Sequence, residues 1–379
     1  MLLNPEQIFQ RYLYGEVISS KKIEKVFDEN DKRHIYIVDT DLDEHFVFKF
    51  SNNSFTSPER IAGWKRLTEL YNECGIYAPK ILPDKYGGLW NGYLENNERY
   101  LVYAEEKKKF MTADEYGIAS SDTSSYFEDM VAAAARIATV STELPGWMSA
   151  WCLYDKFSID DASDETYYWQ DEFHKQIIGE LPCFRERADR IWSRFSSMYQ
   201  AFETDYRKLP QVFFQGDEGG TNAMLDDEGK FVGMLDFNLS GAEVNLNYFF
   251  RNFCRVRIRK DEVPELSSSA FRKAKDDEMR SRLDIVKKHY CFNTDETAAF
   301  PAYYRIVYPL ECDLCQMFQS VVRERDIHKI NIILDWIEYQ QTRNDIAHSF
   351  MIYGIMLDST ANSQWIMKRR GERKYGAKN

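Results

Sequence analysis

Long hydrophobic runs are absent from this sequence, and basic residues are outnumbered by acidic ones. No apolar run in the 379-residue chain approaches the roughly 20 residues that a membrane-spanning helix needs. Lys and Arg number 49 against 61 Asp and Glu, which gives a net charge of −12. A general role in gripping nucleic acid phosphates is therefore disfavoured. We expect neither a membrane span nor a nucleic acid partner.

Cysteine is also scarce, with seven scattered residues and an odd total. No basic and apolar leader opens the chain, so we expect a soluble protein of the reducing cytoplasm rather than a disulfide-built secreted one. Cys312 and Cys315 form a single CxxC pair, whereas a zinc site would need a second pair. Their flanks have helical spacing, and we interpret both as ordinary helix cysteines.

Apolar residues are plentiful, at 44% of the chain, with 15% aromatic, so the chain can build a large core and two domains. Alternating apolar patterns predict strands at residues 17–18, 23–27, 35–38, 46–50 and 100–103. One helix lies among them, with Ser57 as N-cap, Pro58 at its first position and Gly75 at its end.

The second part of the chain has mainly helical periodicity. Long helices are predicted at residues 126–144, 164–179, 185–206, 267–290, 296–324 and 327–353. A strand-like island at residues 211–236 interrupts them. The overall expectation is an α+β protein.

The island contains the residues whose side chains are best suited to metal binding and catalysis. Two apolar strands flank an acidic turn at residues 226–230, which predicts a hairpin with Asn222 before its first strand and Asp236 after its second. Asp217 lies five residues before Asn222 and can face the same point. Such oxygen donors suit a Mg²⁺ ion that holds nucleotide phosphates, while a free carboxylate accepts a hydroxyl proton.

The pattern Gly-Asp-x4-Asn, followed by Asp-Phe, resembles the aminoglycoside phosphotransferase and choline kinase-like family of small-molecule phosphotransferases. The resemblance implies a protein kinase-like two-lobed fold. Residues 1–105 would form a small antiparallel-sheet lobe that binds nucleotide, and residues 106–379 a large, mainly helical catalytic and substrate-binding lobe. ATP and Mg²⁺ are the implied cofactors. Asp217 would be the catalytic base, and Asn222 and Asp236 the magnesium ligands.

The same resemblance requires a strand lysine for the ATP phosphates and a helix acid to orient it. Lys49 stands in the apolar strand 46–50. It can be an edge-strand charge that prevents aggregation, but together with the downstream motif we interpret it as the ATP-binding lysine. We take Glu59 as its acid partner and keep Glu69 as the alternative.

A hinge is implied after the strand 100–103, where the backbone around Tyr103 and Glu105 would bind adenine. Beyond its main chain, we expect Glu105 to be a solvated acid.

Two departures from family patterns stand out: Gln215 replaces the histidine usual before Gly-Asp, and residues 28–33 lack a glycine-rich phosphate cradle. The second departure disfavours a protein kinase.

We therefore predict an ATP-dependent kinase whose acceptor is an alcohol group of a small molecule, either an aminoglycoside-like antibiotic or an amine or sugar metabolite. Residues 151–173 combine acids with aromatics, which suits either an amine-bearing substrate or a solvated acidic stretch over buried rings. The alternative function is a pseudokinase-type module that binds nucleotide without transfer. Nothing in the sequence favours ATP over GTP or one oligomeric state.

Overall fold

The computed structural model describes residues 3–28, 31–118, 125–140 and 143–350. It confirms the α+β class, because an antiparallel sheet comes first and helices dominate the rest of the chain. The sheet has the order β1-β2-β3-β6-β4, and β5 also pairs with β6. Its strands are β1 (Val17–Asp28), β2 (Asp31–Thr40), β3 (His45–Ser51), β4 (Ile81–Leu82), β5 (Asn91–Glu95) and β6 (Glu98–Glu106).

Two helices belong to this first part. The predicted helix is α2 (Pro58–Glu73): the Ser57 side chain accepts a hydrogen bond from the Arg60 amide, as an N-cap does. It ends before Gly75, whose φ of +75° is the left-handed geometry that glycine adopts freely. A short helix that we did not predict, α1 (Pro5–Tyr12), packs on the sheet.

The helices of the second part follow the predicted periodicity with three corrections, the first of which is that the helix predicted over 126–144 ends at Ala138. The helices are α3 (Ser125–Ala138), α4 (Glu165–Glu180), α5 (Arg185–Tyr206), α6 (Asn245–Phe249), α7 (Ser269–His289), α8 (Thr294–Val307), α9 (Cys312–Glu324), α10 (Ile327–Thr342) and α11 (Ile346–Ser349). The predicted helix 296–324 is divided at Pro309, which lies in a 3₁₀ turn between α8 and α9. The last predicted helix ends at Thr342, and residues 351–353 lie outside the described chain.

Small strands connect the two parts. β9 (Ala223–Leu225) pairs with β10 (Phe231–Met234) and with β7 (Met111–Thr112), and β8 (Gln211–Phe214) pairs with β11 (Gly241–Val244). Tyr77, in the segment between α2 and β4, bridges to Gly233 of β10. The β9–β10 hairpin therefore lies where the first part of the chain meets the helices.

The buried side chains form two clusters. The smaller cluster joins α1 to one face of the first sheet and includes Phe48 and Phe50. The larger one begins at α2 and continues through the helices to Phe350. No helix in the described ranges is long and apolar enough to cross a membrane.

Candidate active site

The β9–β10 hairpin brings Asn222 and Asp236 to the same end of the ribbon. Met234 lies opposite Ala223, and the Leu235 amide donates to the carbonyl oxygen of Asn222 at 2.8 Å. Asn222 therefore precedes β9 at the point where Asp236 leaves β10, which is the relation that the sequence predicted.

Asp217 reaches this end of the hairpin through the loop after β8. The Asn222 side-chain amide donates to the carbonyl oxygen and to Oδ2 of Asp217, both at 2.9 Å. Gly216 permits the loop its shape, because its φ is +92° and a Cβ atom would lie 2.8 Å from the Leu239 carbonyl oxygen. Three of the predicted site residues, Asp217, Asn222 and Asp236, are thus assembled by one loop and one hairpin.

Gln215 ties these segments together. It is fully buried, and its Nε2 donates to the carbonyl oxygens of Leu235 and Asp236, both at 2.8 Å. Its Oε1 accepts from the Asp217 amide at 2.6 Å. An uncharged amide that donates and accepts therefore fits this position without a titratable ring.

Lys49 reaches the site from β3. Its Nζ lies 3.2 Å from Oδ1 of Asp236 and 3.0 Å from Oε2 of Glu105, and its side chain is only 17% exposed. Burial alone lowers the pKa of Lys49, but the carboxylates of Asp236 and Glu105 outweigh it and hold that pKa well above its ordinary value. A permanent positive charge thus lies beside Asp236.

The acid beside Lys49 is not the expected one. Glu59 is exposed in the first turn of α2, and Glu69 forms an ion pair with Lys65. Glu105 is the partner, and its side chain is 14% exposed rather than solvated.

Strand register explains the choice of Glu105. Lys49 lies opposite Tyr103 and Val47 lies opposite Glu105 in the β3–β6 pair. Glu105 is therefore the diagonal neighbour of Lys49 on one face of the sheet. Tyr103 is buried there, with its ring centroid 5.9 Å from Nζ of Lys49. Side chains alternate between the two faces along β6, which places Tyr103 and Glu105 on the same face. Only the register with β3 shows that Lys49 is the residue they contact.

Two acids in the Gly-Asp loop have raised pKa values. Burial raises the pKa of Asp217, the Asp236 carboxylate adds to the effect, and the hydrogen bond from Asn222 opposes it. Glu218 is partly buried, with its Oε2 atom out of contact with solvent, and it accepts a hydrogen bond from the Tyr248 hydroxyl. Its burial raises its pKa to about 8. Asp217 is the acid of this pair that touches Asn222.

The donor set at the hairpin end fits a hard cation. Asn222 uses its amide nitrogen on Asp217, so its Oδ1 is left for another partner, and Asp236 supplies a carboxylate. Mg²⁺ prefers such oxygen ligands and takes only one or two carboxylates from a protein. Across residues 3–28, 31–118, 125–140 and 143–350 no group of three or more His, Cys, Asp or Glu side chains forms a separate metal cage.

A large cavity of about 630 Å³ opens beside Asp217. Its wall combines the Gly-Asp loop with α3, α7 and the segment that follows α6.

Of the acid-and-aromatic stretch 151–173, Trp151 lines this cavity. Asp164 instead caps α4, and Glu165 pairs with Arg251. These acids therefore serve the packing of the helices.

Comparisons with known proteins give distant structural likenesses and one family match. The chain is similar in structure to an aminoglycoside phosphotransferase from Alicyclobacillus acidocaldarius, with 10% identity and a TM-score of 0.45. The match covers 94% of this chain and 96% of that one. An amicoumacin kinase in complex with AMP-PNP and Ca²⁺ gives 9% identity, a TM-score of 0.47 and coverage of 90% of this chain and 94% of that one. A microcompartment-associated aminopropanol kinase is 11% identical, with a TM-score of 0.43, and the match covers 91% of this chain and 97% of that one.

These distant likenesses carry no information on substrate. A search of curated proteins gave no match. The decisive finding is the match of residues 23–243, more than half of the chain, to the phosphotransferase enzyme family known as APH. This stretch includes Lys49, Asp217, Asn222 and Asp236, and the chain belongs to that phosphotransferase family.

Proposed function

We propose that this protein is an ATP-dependent phosphotransferase that transfers the γ-phosphoryl group to a hydroxyl of a small molecule. One observation carries the proposal: Lys49 of the first sheet touches Asp236 at the end of the hairpin that also holds Asn222 against Asp217. A phosphate-binding cation, two oxygen donors and a free carboxylate thus meet at one point.

Each residue has a distinct role in this proposal. Lys49 binds the nucleotide phosphates, and Asn222 with Asp236 would hold Mg²⁺, which supplies charge neutralisation at the transferred group when bound. The side chain of Glu105 orients Lys49.

The predicted hinge directly after residue 103 is wrong, because β6 continues to Glu106 and Glu105 is paired with Val47 of β3 and with Ile81 of β4. A hinge whose backbone binds adenine would therefore have to follow Glu106.

Asp217 orients the acceptor hydroxyl and accepts its proton. A bond then forms between the acceptor oxygen and the γ-phosphorus, the bond from that phosphorus to the bridging β–γ oxygen breaks, and ADP leaves with the bond's electron pair. Burial of Asp217 favours a proton acceptor, because it raises the basicity of the carboxylate.

The wider organisation belongs to the same proposal. The division at residue 105 into a nucleotide-binding and a catalytic lobe stays a prediction, as does a cytoplasmic location. A nucleotide-binding module without transfer activity has no observation in its favour.

The substitution Asp217→Asn tests the proposal. We expect phosphoryl transfer from Mg-ATP, followed as ADP release over a panel of hydroxyl acceptors, to fall by at least about a hundredfold. Nucleotide affinity should stay within a few-fold of wild type, because Lys49 and Asp236 remain. Equal transfer by Asp217→Asn and wild type would refute the role of Asp217.

A further inference from the structure

The cavity beside Asp217 is rich in cationic side chains, although the chain as a whole carries a net charge of −12. Six cations line it: Arg251, Arg255, Arg257, Arg259, Lys275 and Arg282. Most of them come from the irregular segment after α6 and from α7. This concentration of guanidinium groups is the opposite of a wall built for an amine-bearing acceptor.

Some of these cations serve the structure. Arg251 is buried and pairs with Glu165. Arg255 forms ion pairs of 2.9 Å with both Glu311 and Asp313. Because their charges are balanced by adjacent acids, these two arginines hold the wall of the cavity in place.

Two other arginines keep donors free. Arg257 is exposed, and among the described residues its side chain has no ion pair or hydrogen bond. Its carbonyl oxygen accepts from Nζ of Lys275 at 3.0 Å, which fixes the backbone at that point. Arg282 on α7 is 13% exposed and pairs with Glu278 at 3.2 Å, while its buried Nε has no hydrogen-bond partner.

The acids of the cavity wall are already occupied. Glu262 pairs with Lys275, Glu278 with Arg282, and Asp313 with Arg255. Glu218 is bound by the Tyr248 hydroxyl, and its raised pKa of about 8 leaves it uncharged near neutral pH. Asp217 and Glu218 are then the two acids of the described wall without an ion pair, and Asp217 is the proposed base.

We propose that this cavity binds an anionic group of the phosphate acceptor, a carboxylate or a phosphate ester, through Arg257 and Arg282. The inference rests on the proposed function and adds the substrate class: a hydroxy acid or a phosphorylated alcohol. A guanidinium fork matches the oxygens of either anion with two parallel hydrogen bonds. The anion would be held on the same cavity wall as Asp217, which faces the acceptor hydroxyl.

Matched three-carbon probes test the inference on the full chain. Glycerol, glycerate and glycerol 3-phosphate share hydroxyl groups and differ in anionic charge. We expect calorimetry to show binding of one or both anions, with glycerol at least about tenfold weaker, as the loss of one charged hydrogen bond predicts. Kanamycin, an aminoglycoside with several amino groups, serves as the cationic comparison and should bind as weakly as glycerol. The comparison of glycerate with glycerol 3-phosphate distinguishes the two anion chemistries.

The substitutions Arg257→Gln and Arg282→Gln should each weaken anion binding by about tenfold or more. Arg190→Gln is the matched control, because Arg190 is a half-exposed arginine of α5 that pairs with Glu186 away from the cavity. Arg257 is exposed, so its replacement should leave the melting temperature unchanged and keep the test valid if Arg282→Gln folds poorly.

Anions that bind no better than glycerol, or an Arg257→Gln variant that behaves like Arg190→Gln, would overturn the inference. Titration with Mg-ATP separates this failure from failure of the proposed function. Binding of Mg-ATP without anion preference would refute the anionic acceptor alone. Anion binding through Arg257 without any Mg-ATP binding would refute the kinase proposal instead.

Discussion

Lys49 shows at the scale of one residue how the site depends on paired charge. Its ammonium group lies between Glu105 and Asp236, one from its own sheet and one from the hairpin. A buried ion pair contributes little net stability, but removal of one partner leaves an uncompensated charge. The pair therefore positions Lys49 more than it stabilises the fold.

The substitution Glu105→Gln should weaken nucleotide binding by about threefold to thirtyfold, because one charged hydrogen bond that orients Lys49 becomes a neutral one. Glu59→Gln is the matched control, since Glu59 is exposed on α2. Calorimetric titration with Mg-ATP measures both variants. A loss in Glu59→Gln with no loss in Glu105→Gln would show that the helix acid, and not Glu105, orients the lysine.

Glu218 predicts a dependence of stability on pH. The folded protein keeps the Glu218 proton up to about pH 8, whereas the ordinary pKa of the group is 4.5. The folded state therefore binds more protons between these values, and this group makes the free energy of unfolding fall as pH rises from about 4.5 to about 8.

The substitution Glu218→Gln should remove that contribution. At pH 8 the variant should be more stable than wild type by an amount on the order of a few kcal/mol, and at pH 4.5 the two should be nearly equal. Urea unfolding at both pH values measures the difference. A wild-type advantage that grows with pH would contradict a protonated Glu218 in the folded protein.

Spacing along the chain was enough to predict the positions of Asp217, Asn222 and Asp236, because a hairpin places its two ends together. The role of Glu105 could not be predicted in the same way. It depends on the register between β3 and β6, which about fifty residues of intervening chain separate in sequence. Local pattern specifies the face of a strand but not its partner.

At the scale of elements, the hairpin is anchored by its contact with Tyr77. The Tyr77 amide donates to the Val232 carbonyl oxygen at 2.8 Å, and the Met234 amide donates to the Tyr77 carbonyl oxygen at 2.9 Å. A Cβ atom on Gly233 would lie 1.9 Å from that carbonyl oxygen. Glycine at this position therefore lets the first part of the chain approach β10.

The substitution Gly233→Ala should displace Tyr77 and destabilise the protein by about 1–3 kcal/mol, the usual cost of overpacking. Gly179→Ala is the control: Gly179 is in α4, nothing lies within 4 Å of its added Cβ, and alanine favours a helix by about 0.5–1 kcal/mol. Chemical unfolding compares the two. Equal stability of both variants would show that the Tyr77 contact is dispensable.

Helix prediction succeeded where periodicity and capping agreed. α5 (Arg185–Tyr206) has its predicted bounds, and α2 begins at its predicted cap.

The division of the predicted helix 296–324 at Pro309 was missed because the apolar spacing continues across it. Proline alone does not mark the break, since Pro301 lies inside α8. α1 was missed although its start signals stand in the sequence: Asn4 is its N-cap, Pro5 occupies its first position and Gln7 completes a capping box.

At the scale of the whole molecule, the site lies where the first sheet meets the β9–β10 hairpin and the helices. The smaller apolar cluster belongs to the first sheet, and the larger one includes the helices, the hairpin and α2. Lys49 and Glu105 come from the sheet, while Asp217 and Asp236 come from the hairpin region. A ligand that contacts both sets should stabilise the molecule as a unit.

The order of strands and helices is readable from the sequence, but the arginine-lined cavity is not. Its residues come from α3, α7, α9 and the segment after α6. Among the acids at 151–173 that stand out in the sequence, Asp164 caps α4, Glu165 pairs with Arg251, and none lines the cavity. Tertiary packing therefore decides which charges face the cavity.

A thermal-shift titration with ATP, with and without Mg²⁺, would show whether a magnesium-dependent nucleotide site lies at the end of the β9–β10 hairpin. It would compare wild type with Asp236→Asn and with Asp205→Asn, an exposed aspartate of α5 as the control. We predict stabilisation by ATP that requires Mg²⁺ in wild type and Asp205→Asn and that is lost in Asp236→Asn. No shift in wild type at saturating Mg-ATP, or an equal shift in Asp236→Asn, would contradict a nucleotide site at the end of this hairpin.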